Sequence, residues 1–339
     1  MKKNRKLFNA VFLIVVFTLT ICSVLQGEDL GALWEYLNMA DPGCIAAGVV
    51  CVVLFILGES VVIRYLLGSL GRRVRFTHCC LYSFIGFFYS CITPSASGGQ
   101  PMQAVAMRKD GIQVAVSSVV LAIVTITYKL VLVVIGAAVM LLRPAPVMAC
   151  LDALDGLIYL GLMLNVGCIT LLLLLVFRPG IIRGCAAWGF RLADRIRPLK
   201  NRGRLESRLD EWMAQYTGAA DYYRSHKLVI VNVFLITLAQ RLLLFMVTWF
   251  AYRAFGLEGE SIAVIVMLQA MISVTVDMLP LPGGMGVSEN LFLQIFLPVF
   301  GSALVLPGMV VSRGVSYYSQ LIISAVMTVA ASFVLRKHE

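Results

Sequence analysis

Six apolar runs, at about residues 7–25, 43–67, 112–142, 157–177, 228–250 and 308–335, each come near the ~20 residues a helix needs to cross a bilayer. A chain with this many cannot bury them all in one water-soluble core. Inside lipid every backbone N–H and C=O must be satisfied within its own element, so the runs predict an all-α polytopic membrane protein. Composition agrees: of 339 residues 60% are hydrophobic and 14% charged, with a mean hydropathy of +0.89. The first run has a basic flank and no small-residue cleavage site after it, so a retained helix is expected rather than a signal peptide.

Two further apolar regions, 79–107 and 261–306, are interrupted by Pro and Gly. The first contains TPSASGGQP, from Thr93 to Pro101, and the second LPLPGGMGVSEN, from Leu279 to Asn290. Charge placement decides how these regions run. Of 28 Lys and Arg, 23 lie in segments 1–6, 64–75, 108–110, 178–227 and 336–339, whereas segments 26–42, 143–156 and 251–260 hold two against eight Asp or Glu. The net charge of +10 therefore reports topology and an anionic lipid surface, with the first group cytoplasmic, rather than nucleic-acid binding.

If each long run crosses once, the loops alternate correctly only when both interrupted regions return to the side they entered from. The expectation is about six full transmembrane helices plus two re-entrant, broken helical hairpins in an inverted repeat, with both termini cytoplasmic. The halves would be 1–177 and 228–339, joined by a basic cytoplasmic loop at 178–227. In that loop Ile181, Cys185, Trp188, Leu192 and Ile196 recur at helical spacing, as do Leu205, Leu209, Trp212 and Tyr216. These patterns fit amphipathic helices on the inner leaflet or a solvated linker equally well.

Irregular backbone at membrane depth must line a wet cavity or be buried in protein. At the first break Ser95, Ser97, Gly98, Gly99 and Gln100 are expected to present amides and side-chain donors at a half-helix N-terminus, a ready anion site. At the second, Gly283 and Gly284 open the turn, and Glu289 either complements the helix dipole or meets a cation. Charges within the spans are Glu59, Lys129, Arg241, Asp277 and Arg313. With Glu59 read as held in a structural pair with a neighbouring cation, Lys129, Arg241 and Arg313 form a cationic surplus suited to a lipid phosphate, with Tyr317 as a further donor. Asp277 and Glu289 would meet an ammonium group.

Nine cysteines are scattered without a CxxC pair, and three His residues lack metal spacing, so neither a metal nor another cofactor is expected. A nucleotide-binding Gly-rich loop and a Ser-His-Asp or Cys-His set are also missing from the sequence. ITPSASGGQPMQAVAMRKDGI (Ile92 to Ile112), LPLPGGMGVSE (Leu279 to Glu289) and RGVSYYSQL (Arg313 to Leu321) resemble the lysylphosphatidylglycerol synthase transmembrane region, a flippase-like family of bacterial membrane proteins.

That resemblance implies a lipid translocase of the bacterial plasma membrane, carrying an anionic or aminoacylated phospholipid such as lysyl-phosphatidylglycerol and protecting against cationic antimicrobial peptides. The alternatives are a phosphatidylglycerol lysyltransferase, which would need a separate soluble acyltransferase partner, and a translocase of polyprenyl phosphate or lipid-linked sugar. Expected partners are thus a membrane phospholipid and a lipid-modifying enzyme, without nucleic acid; homo-oligomerisation is left open.

Overall fold

The computed structural model describes residues 30–151, 154–178, 180–184, 188, 202–281 and 284–334; the predicted span at 7–25 and, from the first amphipathic pattern, Cys185, Leu192 and Ile196 lie outside them. Among the described residues the protein is helical, without strands. Five helices are long and apolar enough to cross a membrane: α2 (Pro42–Ser69), α5 (Val114–Leu142), α7 (Asp155–Phe177), α9 (Lys227–Ala254) and the composite helix Leu297–Ala331. The protein is a multi-pass membrane protein.

Local chemistry sets the ends of these spans. A short helix α1 (Leu30–Met39) precedes Asp41, whose carboxylate accepts the Gly43 and Cys44 amides at 3.2 and 3.0 Å while Pro42 opens α2. Gly71, at φ 74°, closes α2 by letting the Arg72 N–H reach back to the Leu67 carbonyl at 2.9 Å. α7 exposes Tyr159, Leu160, Met163, Val166, Leu171 and Leu174, a face that only lipid would cover.

Both interrupted regions are broken helix pairs. The first is α3 (Phe76–Cys91), a 3₁₀ turn at Pro94–Ala96 and α4 (Gly99–Lys109). The pair packs so closely that a Cβ on Gly86 would stand 2.1 Å from Gln103 Nε2, and one on Gly99 would stand 2.6 Å from the Gly86 carbonyl. The second is α10 (Ile262–Val276) and α11 (Val287–Ile295), with helix α6 (Ala145–Leu151) packed alongside.

This second pair is shorter than the sequence suggests, and the last span begins earlier, at Leu297 rather than near residue 308. At Gly301 (φ 74°, ψ 165°) the backbone leaves helical geometry, so two helical pieces meet at a kink within α12 (Leu297–Arg313), and Pro307 lies inside the second. A π-helical segment, Gly314–Ser319, then joins α12 to α13 (Gln320–Val334).

The order span, broken pair, span thus occurs twice, and the packing pairs the copies reciprocally. α2 and α9 lie against each other, where Gly58 admits the Gln240 side chain. The closing span of each span, broken-pair, span unit packs on the first arm of the other unit's broken pair, α13 on α3 and α5 on α10.

Helix α8 (Arg202–Ser225) carries the second amphipathic pattern, and a solvated linker does not describe it. Met213, Tyr216, Ala219, Ala220 and Tyr223 are buried against α5, α7 and α9, and the Tyr223 hydroxyl donates to the Leu66 carbonyl at 2.7 Å.

Candidate functional site

Glu59, Lys129 and Arg241 fall near the middle of α2, α5 and α9, spans of 28, 29 and 28 residues. Equal depth on three mutually packed helices brings them to one cavity of about 330 Å³. Its wall takes residues from both halves: Gln100 and Gln103 from α4, Asp277 and Gly284 from the second break, and Arg313 and Tyr317 around the π-helical segment.

The charges are arranged as pairs. Lys129 Nζ lies 2.5 Å from Asp277 Oδ2 and 2.9 Å from Met278 Sδ, while the Tyr128 hydroxyl donates to the other Asp277 oxygen. Asp277 follows the last turn of α10, so this contact ties α5 to the second break. Arg313 Nε donates to Glu289 Oε1 at 2.8 Å, and Glu289 Oε2 accepts the Gly286 amide at 2.7 Å. Glu289 therefore both caps α11 and neutralises Arg313, which is consistent with its relative exposure of only 3%.

Glu59 is not held as the sequence suggested. Its Oε1 accepts the Gln103 amide at 2.5 Å, and Arg241 acts on it only through its field. The expected cationic surplus shrinks accordingly: three cations face three carboxylates, because Glu289 joins the balance. Among the described residues, no carboxylate lies within 4.0 Å of Arg241. Its guanidinium lies over the Tyr128 ring, 3.4 Å from the centroid, and 5.0 Å from that of Phe55; its Nε is buried without a hydrogen-bond partner. An aromatic face compensates a desolvated guanidinium by about 2 kcal/mol, less than a carboxylate would.

The first break differs from the expected row of open amides. The Gly98 amide donates to Thr93 Oγ1 at 2.9 Å, and the Ala96 and Ser97 amides donate to the Thr93 and Pro94 carbonyls. A 3₁₀ turn satisfies its own donors, so little of that backbone remains for a ligand. Ser97 is exposed and away from the cavity, Gly99 is buried between α3 and α4, and Gln100 reaches the cavity and donates to Thr125 Oγ1. The Ser95 side chain and Gly283 lie outside the described residues. Gly284, at φ 67°, is buried in the cavity wall.

Sequence reasoning passed over Gln103 on α4 and Gln240 on α9, two neutral polar residues. Both are buried, and Gln240 Nε2 donates to the Phe55 carbonyl at 2.9 Å. A Gln inside a predicted span was the available signal, since an amide in lipid needs a partner. The resulting set of opposed charges and amides is suited to holding a charged group.

No curated protein is matched by the chain. A family model described as the lysylphosphatidylglycerol synthase TM region matches residues 8–324. Since that match takes in both broken pairs and every residue named above as lining the cavity, the chain belongs to the lysylphosphatidylglycerol synthase transmembrane-region family.

Proposed function

We propose that the protein is a lipid translocase that moves an anionic or aminoacylated phospholipid, such as lysyl-phosphatidylglycerol, between the leaflets of the bacterial plasma membrane. The observation that carries this reading is the mid-span cavity, walled by both halves, in which Arg241 has aromatic faces but no carboxylate against it. A lipid phosphate is a buried anion that a guanidinium can grip through two hydrogen bonds. Lys129 and Arg313 would join the phosphate, and Asp277 and Glu289 an ammonium group, by exchanging their present partners.

The reciprocal packing of the two span, broken-pair, span units supports an inverted repeat in which both pairs are re-entrant and both termini cytoplasmic. Rocking one unit against the other about the cavity would open it to each leaflet in turn. Gln100, Gly284 and Tyr317 shape the headgroup site in this scheme, and Ser95, Ser97 and Gly98 carry the first break round to Gly99 at the start of α4. Aminoacyl transfer itself would be the work of a separate soluble acyltransferase.

Reconstitution tests the reading. Proteoliposomes containing labelled lysyl-phosphatidylglycerol are expected to lose label from one leaflet with the wild-type protein and to keep it with Arg241→Ala. Equal rates for folded Arg241→Ala and wild type would overturn the assignment.

A further inference from the structure

We infer that Glu59 is a proton-binding site coupled to the anion site at Arg241, so that one proton is taken up when the headgroup phosphate docks and is given back when it leaves. The inference rests on the translocase reading of Arg241.

The other two carboxylates at the cavity are held by cations, Asp277 by Lys129 and Glu289 by Arg313. The hydrogen bond to Glu59 comes from a neutral amide, Gln103 Nε2, although Glu59 lies in the cavity wall and within the field of Arg241. Arg241 and Glu59 both line the cavity, and the guanidinium's field favours the ionised carboxylate. An anion arriving at Arg241 offsets that field and puts two negative charges beside one guanidinium in a poorly solvated site. The least costly outcome is a proton on the carboxylate. Reciprocity then requires that a proton on Glu59 strengthen anion binding by the same factor by which the anion strengthens proton binding.

The remaining ionisable groups around Glu59 do not take this role. On α5, Lys129 is committed to Asp277, and the Tyr128 hydroxyl donates to that same carboxylate. From the side of α3 and the π-helical segment come Cys91 and Tyr317, joined by the Tyr317 hydroxyl at the Cys91 carbonyl, and Arg313 is held by Glu289. Arg241 is the group contributed by α9.

The proton also has a mechanical consequence. Ionised Glu59 accepts the Gln103 N–H through a charged oxygen, whereas the protonated acid carries an O–H donor beside a neutral carbonyl that still accepts. Gln103 cannot turn freely to receive it, because its amide is seated where a side chain on Gly86 would stand. Protonating Glu59 therefore exchanges a charge-assisted tie between α2 and α4, the second arm of the first broken pair, for a weaker neutral one.

The test uses the full-length protein in phosphatidylcholine nanodiscs, titrated with short-chain phosphatidylglycerol between about pH 5 and about pH 9, a window spanning ordinary and shifted carboxyl titration. Wild-type affinity is expected to fall with rising pH, approaching the limit for one linked proton of about tenfold per pH unit. Glu59→Gln, which mimics the protonated acid, is expected to hold the wild-type's low-pH affinity across the range. The same pH profile in both proteins would overturn the coupling while leaving the Arg241 site intact. No binding by wild type, or binding unchanged by Arg241→Ala, would overturn the translocase site and the coupling together. Should Glu59→Gln fail to fold, infrared difference spectra of wild-type protein carrying ¹³C-labelled Glu decide instead. A protonated Glu carboxyl band on lipid addition is expected, and its absence would overturn the coupling.

Discussion

The Tyr317 hydroxyl donates to the Cys91 carbonyl at 2.8 Å, joining residues 226 apart in the chain. Tyr317 lies on the π-helical segment between α12 and α13, and Cys91 ends α3, just before the first break. The counterpart in the other half is Lys129 on α5 holding Asp277, just past the end of α10. Each break is thus pinned by the closing span of the opposite span, broken-pair, span unit, in one case by a neutral hydrogen bond and in the other by an ion pair.

Tyr317→Phe removes the neutral tie and leaves a buried carbonyl without its partner. A loss of about 1–3 kcal/mol is expected. Thermal unfolding of the purified protein in detergent measures it, and a melting temperature equal to wild type would show that the tie contributes nothing.

Removing one member of the ion pair costs more, because the other charge stays behind. The side chains of Lys129 and Asp277 are 9% and 10% exposed. Lys129→Met or Asp277→Leu alone is expected to destabilise by about 3–5 kcal/mol, and the double variant by clearly less than the sum. A double-mutant cycle on unfolding free energies reads the coupling; strict additivity would rule the pair out as an energetic unit.

Gly86→Ala places a methyl group 2.1 Å from Gln103 Nε2, and Gly99→Ala places one 2.6 Å from a backbone carbonyl. Overpacking of about 1–3 kcal/mol is expected for each. Gly167→Ala, with nothing within 4 Å of the added Cβ, serves as the control and should melt with the wild type.

Asp41 should give stability a simple pH dependence. Hydrogen bonding from Cys44, through side chain and backbone, and then from the Gly43 amide holds its carboxyl below the ordinary value of 3.8. A depressed folded-state value stabilises above the unfolded-state value and loses that contribution as pH falls through the folded one. Asp41→Ala is therefore expected to melt below wild type at neutral pH, with the gap closing only in strong acid. A gap of constant size from neutral pH to pH ~2 would refute the charged cap.

Length and hydropathy made the five described spans legible, because crossing lipid demands a run of apolar residues that little else in a chain imitates. Pro and Gly marked both breaks, since their backbone preferences act locally. Local reasoning stopped where partners are distant. Whether Glu289 would cap a helix or neutralise a cation depended on Arg313, 24 residues away, and Glu59 found Gln103 at a separation of 44 rather than a cation. The sequence also could not tell that Thr93 would take up the Gly98 amide, or that α8 would pack onto the spans instead of lying in solvent. Membrane spanning follows from the chain's own solvent preference and so is written residue by residue. Which buried charges balance one another follows from helices meeting at one depth, and only the packed structure decides it.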